Sequence, residues 1–155
     1  MFLVNDTVER RHQKIRSFLP REPVVAILLA NVDFEWTVRR AIIALGINSN
    51  KTIREKILSK CHGPEQYKDA WKAEVKARFS KGLPEVISNW EGLKSIAFKF
   101  RGQVVHGIRG MPSSKKTGEA VEIFLKASND INEFAAVQKV SLFGKRLPVR
   151  RNARK

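Results

Sequence analysis

One cysteine, Cys61, stands in 155 residues, so no internal disulfide can form. This excludes the small disulfide-stapled scaffolds of secreted proteins. His62 beside it does not complete a metal site, because one Cys and one His leave a structural zinc two ligands short. Long apolar runs are also missing. The longest, VVAILLA at 24–30, gives way to Asn31, Asp33 and Glu35. It falls far short of the roughly 20 residues needed to span a bilayer. The opening MFLVNDTVERR has no basic start ahead of an apolar stretch, so no signal peptide is expected. A cytoplasmic chain without a membrane partner is the expectation. Acidic residues are scarce: 15 Asp and Glu face 30 Lys and Arg, a net charge of +15. Such an excess draws in polyanions, and nucleic acid rewards many Lys and Arg contacts at once by releasing counterions.

What the sequence does hold is helical spacing, with few alternating strand patterns. Residues 6–18, capped by Asp6 or Thr7, carry Val8, Ile15 and Phe18 on one side. Pro20 and Pro23 end that segment, and Pro23 suits the first turn of the next. Residues 24–45 are the most apolar, with one stripe of Val25, Leu28, Val32, Val38, Ile42 and Leu45 and a second of Leu29, Trp36 and Ile43. They predict a central helix stopped by Gly46. A short helix over 52–60 and a basic one over 65–80, anchored by Tyr67, Trp71, Val75 and Phe79, follow. A further helix runs from near Pro84 to His106 through Trp90, Leu93, Ala97, Phe100 and Val104. Gly92 inside it signals a bend or a close contact. The segment GIRGMPSSKKTG reads as a loop, and a last helix covers 119–138. The expected architecture is all-α, a compact bundle of five or six helices in one domain over 1–144. The tail 145–155, with six basic residues and no acidic one, is expected to be flexible.

Three groups of residues invite a chemical reading. AIIALGINSNKTIREKIL (41–58) has the outline of a helix-turn-helix, with Lys51 and Arg54 on the second helix; the alternative is a tight turn between core helices. Glu35 projects from the apolar stripe of the central helix, where a carboxylate needs a partner. That partner is Arg39, four residues on, or Arg101 on another helix; Asp33 is expected to be solvated. FRGQVVHGIRG (100–110) places Arg101 and His106 five residues apart, about 140° around a straight helix. Gly107 is suited to a left-handed cap, which leaves His106 in the last turn, where the helix dipole favours a protonated imidazole. The two residues either cap a helix end or border one cleft, with Arg109, Lys115 and Lys116 at its mouth. An Arg and a His with no metal-ligand cluster suit RNA, whose 2′-hydroxyl supplies the nucleophile. The His would move protons and the Arg would balance phosphorane charge.

Arg101-Gly-Gln-Val-Val-His106, followed by Gly107, resembles the Arg-x4-6-His motif of the HEPN superfamily of small α-helical proteins. Phe34-Glu35 within LLANVDFEWTV is similar to the aromatic–Glu pair of stand-alone HEPN-like nucleases. Gly102 departs from the pattern, since many members carry a polar residue directly after the Arg. The resemblance implies a homodimer with two facing motifs and metal- and cofactor-independent endoribonuclease activity. It also implies a setting in toxin–antitoxin or phage-defence systems, with an antitoxin or defence protein as partner. On that reading Arg101, His106 and Glu35 are catalytic and Gln103, Arg109, Lys115 and Lys116 bind RNA. The alternatives are a non-catalytic basic module that binds RNA or a protein, and a DNA-binding regulator built on 41–58.

Overall fold

A computed structural model describes residues 4–107 and 113–151, and among these all regular structure is helical. Seven helices are formed: α1 (Val8–Phe18), α2 (Pro23–Leu45), α3 (50–60), α4 (64–79), α5 (Leu83–Val86), α6 (90–105) and α7 (Ser114–Val137). The all-α expectation holds, with one helix more than its upper count. The region read as a single helix from Pro84 to His106 is broken at 87–89. There the Ser88 amide and hydroxyl both donate to Asp130 of α7, at 2.8 and 2.7 Å. Asn89 then caps α6 by accepting from the Gly92 amide at 3.0 Å. The Asn89 side chain occupies the space a Cβ at residue 92 would need, 2.3 Å away. Gly92 therefore makes room for a helix cap rather than for a neighbouring helix.

Helices α3, α4 and α6 each contain a wide π turn, at Ile53–Ile57, Lys72–Lys76 and Leu93–Phe98. In α4 the anchors Tyr67, Trp71, Val75 and Phe79 recur every four residues, a pattern that drifts off one face of a regular α-helix. The π turn at 72–76 corrects the drift, and the first three anchors are fully buried. A carboxylate in this helix, Glu74, is buried. It accepts from the amides of Ile47 (2.9 Å) and Asn48 (3.0 Å) and from the Asn48 side chain (2.6 Å), holding the turn after α2.

Helix α2 is the centre, packed along its length against α7 and flanked by α1, α4 and α6. Its Phe34 meets Phe98 at 5.7 Å and Phe124 at 6.0 Å between ring centroids, in an aromatic core completed by Tyr67. The predicted stripe holds in the second half of α2, where Val38, Ile42 and Leu45 are buried, and fails in the first, where Leu28 is exposed and Val25 and Val32 are only partly covered. Ala26, Ala30, Asp33 and Thr37 face inward, whereas Val24 and Leu28 are each 37% exposed. With apolar residues on most of its circumference, α2 has no unique apolar side, and partners on other helices decide its rotation.

Asp33 carries that decision, and its expected solvation is overturned. It is fully buried, accepting from Arg11 Nε at 2.6 Å and bonded to His12 Nε2 at 3.0 Å. Arg11 also donates to the Asp6 carbonyl at 2.7 Å and lies 3.9 Å from the centroid of the Phe143 ring. Burial alone would raise the Asp33 pKa, but the bonds from His12 and Arg11 prevail and hold it below the usual carboxylate range.

The basic C-terminal segment departs from expectation too. Lys139, with φ +60°, closes α7 in a left-handed cap, with Val140 N donating to Ala135 O at 2.9 Å. Residues 140–151 then run back across the bundle as an extended strap. Leu142 and Leu147 are buried, and Asn50 donates to Pro148 O (2.8 Å) and accepts from the Arg150 amide (3.0 Å). Arg150 donates to the carbonyls of Ala44 and Ile43 at the end of α2, at 2.8 and 2.5 Å. A cation there meets the negative end of the helix, so Arg150 is docked, whereas Lys145, Arg146 and Arg151 stay exposed; 152–155 lie outside the described residues.

Removing one partner of a buried ion pair strands the other charge, at about 3–5 kcal/mol. Asp33→Ala is expected to lower stability by that order in urea unfolding. Because the folded Asp33 pKa is depressed, its contribution is complete above the ordinary carboxylate range and is lost as pH falls through the lowered value. The stability difference between wild type and Asp33→Ala should therefore shrink as the pH of the unfolding series drops below about 4.

Candidate active site

Helix α6 delivers both motif residues. Downstream of its π turn, Lys99–Val105 is regular α-helix. It ends at His106, whose amide bonds to Gly102 O at 3.0 Å and whose backbone sits at φ −89°, ψ 4°. Gly107 follows at φ +64°. This is the left-handed cap that the sequence predicts, and it leaves the His106 side chain exposed at the negative end of the helix. Arg101, about one and a half turns earlier, is half-buried, and its Nε is enclosed with no hydrogen-bond partner among the described residues. A guanidinium N–H shut away from both water and protein acceptors is costly, so Arg101 holds this position at some expense of stability.

Glu35 lies at the edge of the buried arc of α2, half-exposed. Neither expected partner pairs with it directly. Its Oε1 accepts a long bond, 3.4 Å, from the Tyr67 hydroxyl, which in turn accepts from Arg39 Nε at 2.8 Å. Arg39 also donates to the carbonyls of Leu58 (3.1 Å) and Cys61 (2.8 Å), tying α2 to the end of α3. Among the described residues no ion pair joins Glu35 to Arg101. The relay Arg39–Tyr67–Glu35 is what sequence reading missed. Tyr67 was legible only as an apolar anchor, because nothing in its spacing shows where the hydroxyl points. Burial, then the Glu35 carboxylate, push the Tyr67 phenol pKa up, well outside the usual range, and outweigh the opposing pull of Arg39.

The expected RNA-binding residues divide. Gln103 and Lys116 line one groove of about 290 Å³ between α6 and α7, together with Lys99 and Glu119. Gln103 is two residues from Arg101, so it leaves α6 on the far side of the helix from it. Lys115 and Lys116 belong to the first turn of α7, not to a loop. Ser113 caps that turn, accepting from the Lys116 amide at 3.4 Å. Arg109 lies outside the described residues. The would-be DNA-reading helix, α3, has its first residue Asn50 buried under the C-terminal strap. A recognition helix needs that end free for base edges.

Comparison with family models, with curated proteins and with solved structures finds no match to the chain. The described helices include none long and apolar enough to cross a membrane.

Two measurements examine this region, one of them on a substitution. Tyr67 is the only tyrosine, so phenolate absorbance reads it alone. In the folded protein no phenolate should form at pH 11, and in denaturant it should appear near the ordinary value of about 10. Gly102 is helical with open space around a Cβ. Gly102→Ala is therefore expected to raise stability by up to about 1 kcal/mol, measured by thermal unfolding.

Proposed function

We propose that this chain is a HEPN-type, metal-independent endoribonuclease that acts as a homodimer, in the manner of toxin and phage-defence members of that superfamily. The observation that carries the proposal is the end of α6: an exposed His106 at the helix terminus, about one and a half turns from a half-buried Arg101 that makes no ion pair among the described residues. The +15 charge supports a phosphate-rich substrate.

In the proposed reaction the RNA 2′-hydroxyl attacks the adjacent phosphorus. One His106 takes the hydroxyl proton, and the second copy's imidazole gives a proton to the leaving 5′-oxygen. The P–O5′ bond breaks, and the products are a 2′,3′-cyclic phosphate and a 5′-hydroxyl. Arg101 donates to the phosphorane oxygens, where charge builds up. Glu35 keeps one carboxylate oxygen without a bond among the described residues and serves to position Arg101 as RNA enters. Pairing of two copies is supported by the exposed apolar side chains Val24 and Leu28 on α2 and Val105 on α6, the two helices that carry Glu35 and the motif. A non-catalytic RNA-binding module remains the second reading, favoured by Gly102 in the motif.

The deciding experiment incubates wild type and His106→Ala with total RNA in EDTA and identifies the new ends. Wild type, sedimenting as a dimer, is expected to cut RNA but not DNA and to leave 2′,3′-cyclic phosphates. His106→Ala should lose cleavage by at least about 100-fold with an unchanged circular dichroism spectrum, because the side chain is exposed. Intact RNA with both proteins would leave the binding-module reading.

A further inference from the structure

A pocket of about 500 Å³ opens between α2, α3 and the C-terminal strap, lined by Arg40, Asn50, Arg54, Arg146, Leu147 and Val149. Three guanidiniums converge on it and no carboxylate lines it. Arg40 is held in place from behind: its Nε donates to Leu142 O, and its guanidinium carbon lies 5.3 Å from the Phe143 ring centroid. Both of its terminal nitrogens are left without a protein acceptor among the described residues. Arg54 and Arg146 are exposed and make no ion pair among the described residues. Burial, and then the charges of Arg11 and Arg54, make the Arg40 proton easier to lose than usual. Asn50 is not available as a ligand group, since both ends of its amide hold the strap. Its role is to keep Arg146, Leu147 and Val149 opposite Arg40 and Arg54.

We infer that this pocket binds the phosphate group of a nucleotide or oligonucleotide, in a site that shares no residue with Glu35, Arg101 and His106. Guanidiniums present planar N–H forks that match phosphate oxygens two at a time, and three of them suit a multiply charged, many-acceptor anion better than a single carboxylate. The volume exceeds what a free phosphate fills, and Leu147 and Val149 give the remainder an apolar wall suited to an attached sugar and base. The inference does not depend on cleavage by the α6 motif.

The test is fluorescence anisotropy of the full chain with a labelled thymidine oligonucleotide, which lacks the 2′-hydroxyl, carrying either a 5′-phosphate or a 5′-hydroxyl. Arg54→Gln/Arg146→Gln is compared with Lys14→Gln/Lys72→Gln, which removes the same charge from exposed positions elsewhere. The arginine double variant is expected to bind about tenfold or more weakly, and the lysine control within about twofold of wild type. Tighter binding of the 5′-phosphate form marks a terminal phosphate as the ligand, and equal binding of both forms marks an internal diester. Displacement by inorganic phosphate marks acceptance of the free ion. An equal loss in the lysine control would overturn the site, as would loss in His106→Ala with normal binding by the arginine variant.

Discussion

A carboxylate buried in the middle of the central helix sets most of this structure. Asp33 has no water to solvate it, so its charge has to be met by protein donors, and Arg11 and His12 of α1 provide them. That need docks α1 on α2 and fixes which side of α2 faces inward. The same Arg11 lies against Phe143 at the start of the C-terminal strap, and Arg40 of α2 approaches that ring as well. A chain of contacts thus runs from one buried charge to the position of the strap, and from the strap to the arginine pocket it closes.

On another side of α2 the polar arrangement is looser. Arg39 is spent on the Leu58 and Cys61 carbonyls and the Tyr67 hydroxyl, which fastens α3 and α4 to α2. Glu35, at the end of that relay, is held only by a long bond from Tyr67. The two acidic residues on this stretch of α2 therefore play opposite parts. Asp33 is fully buried and bonded to two partners, and Glu35 is half-exposed with a single long bond among the described residues.

The two basic regions differ in the same way. Near the end of α6 stand an Arg with a donor unmet among the described residues and a His open to solvent. In the pocket beside the strap the guanidiniums repel one another, and nothing in the described chain neutralises them. Proton-transfer chemistry needs the first arrangement, and anchoring a phosphate needs only the second.

How much of this was legible beforehand follows from which signals are local. Helix content, the central place of 23–45, the anchors of α4 and the left-handed Gly107 that ends α6 all depend on periodicity, propensity and capping within a few residues, and the sequence by itself determined them. The spacing of Arg101 and His106 in α6 was likewise a local fact, open to reading before any fold was known. Arg11 was within reach: it falls three residues after Val8 and four before Ile15, on the inward line of α1. Only the tertiary structure decided that Asp33 rather than Glu35 is buried, because an almost uniformly apolar helix carries no mark of its own rotation. It alone decided that 140–151 form a docked strap. A basic composition predicts freedom unless specific acceptors are present, and here they are the carbonyls at the end of α2 and the side chain of Asn50, about a hundred residues away. The arginine pocket is the plainest case. Arg40, Arg54 and Arg146 have no periodic relation along the chain, and only folding brings their charges together.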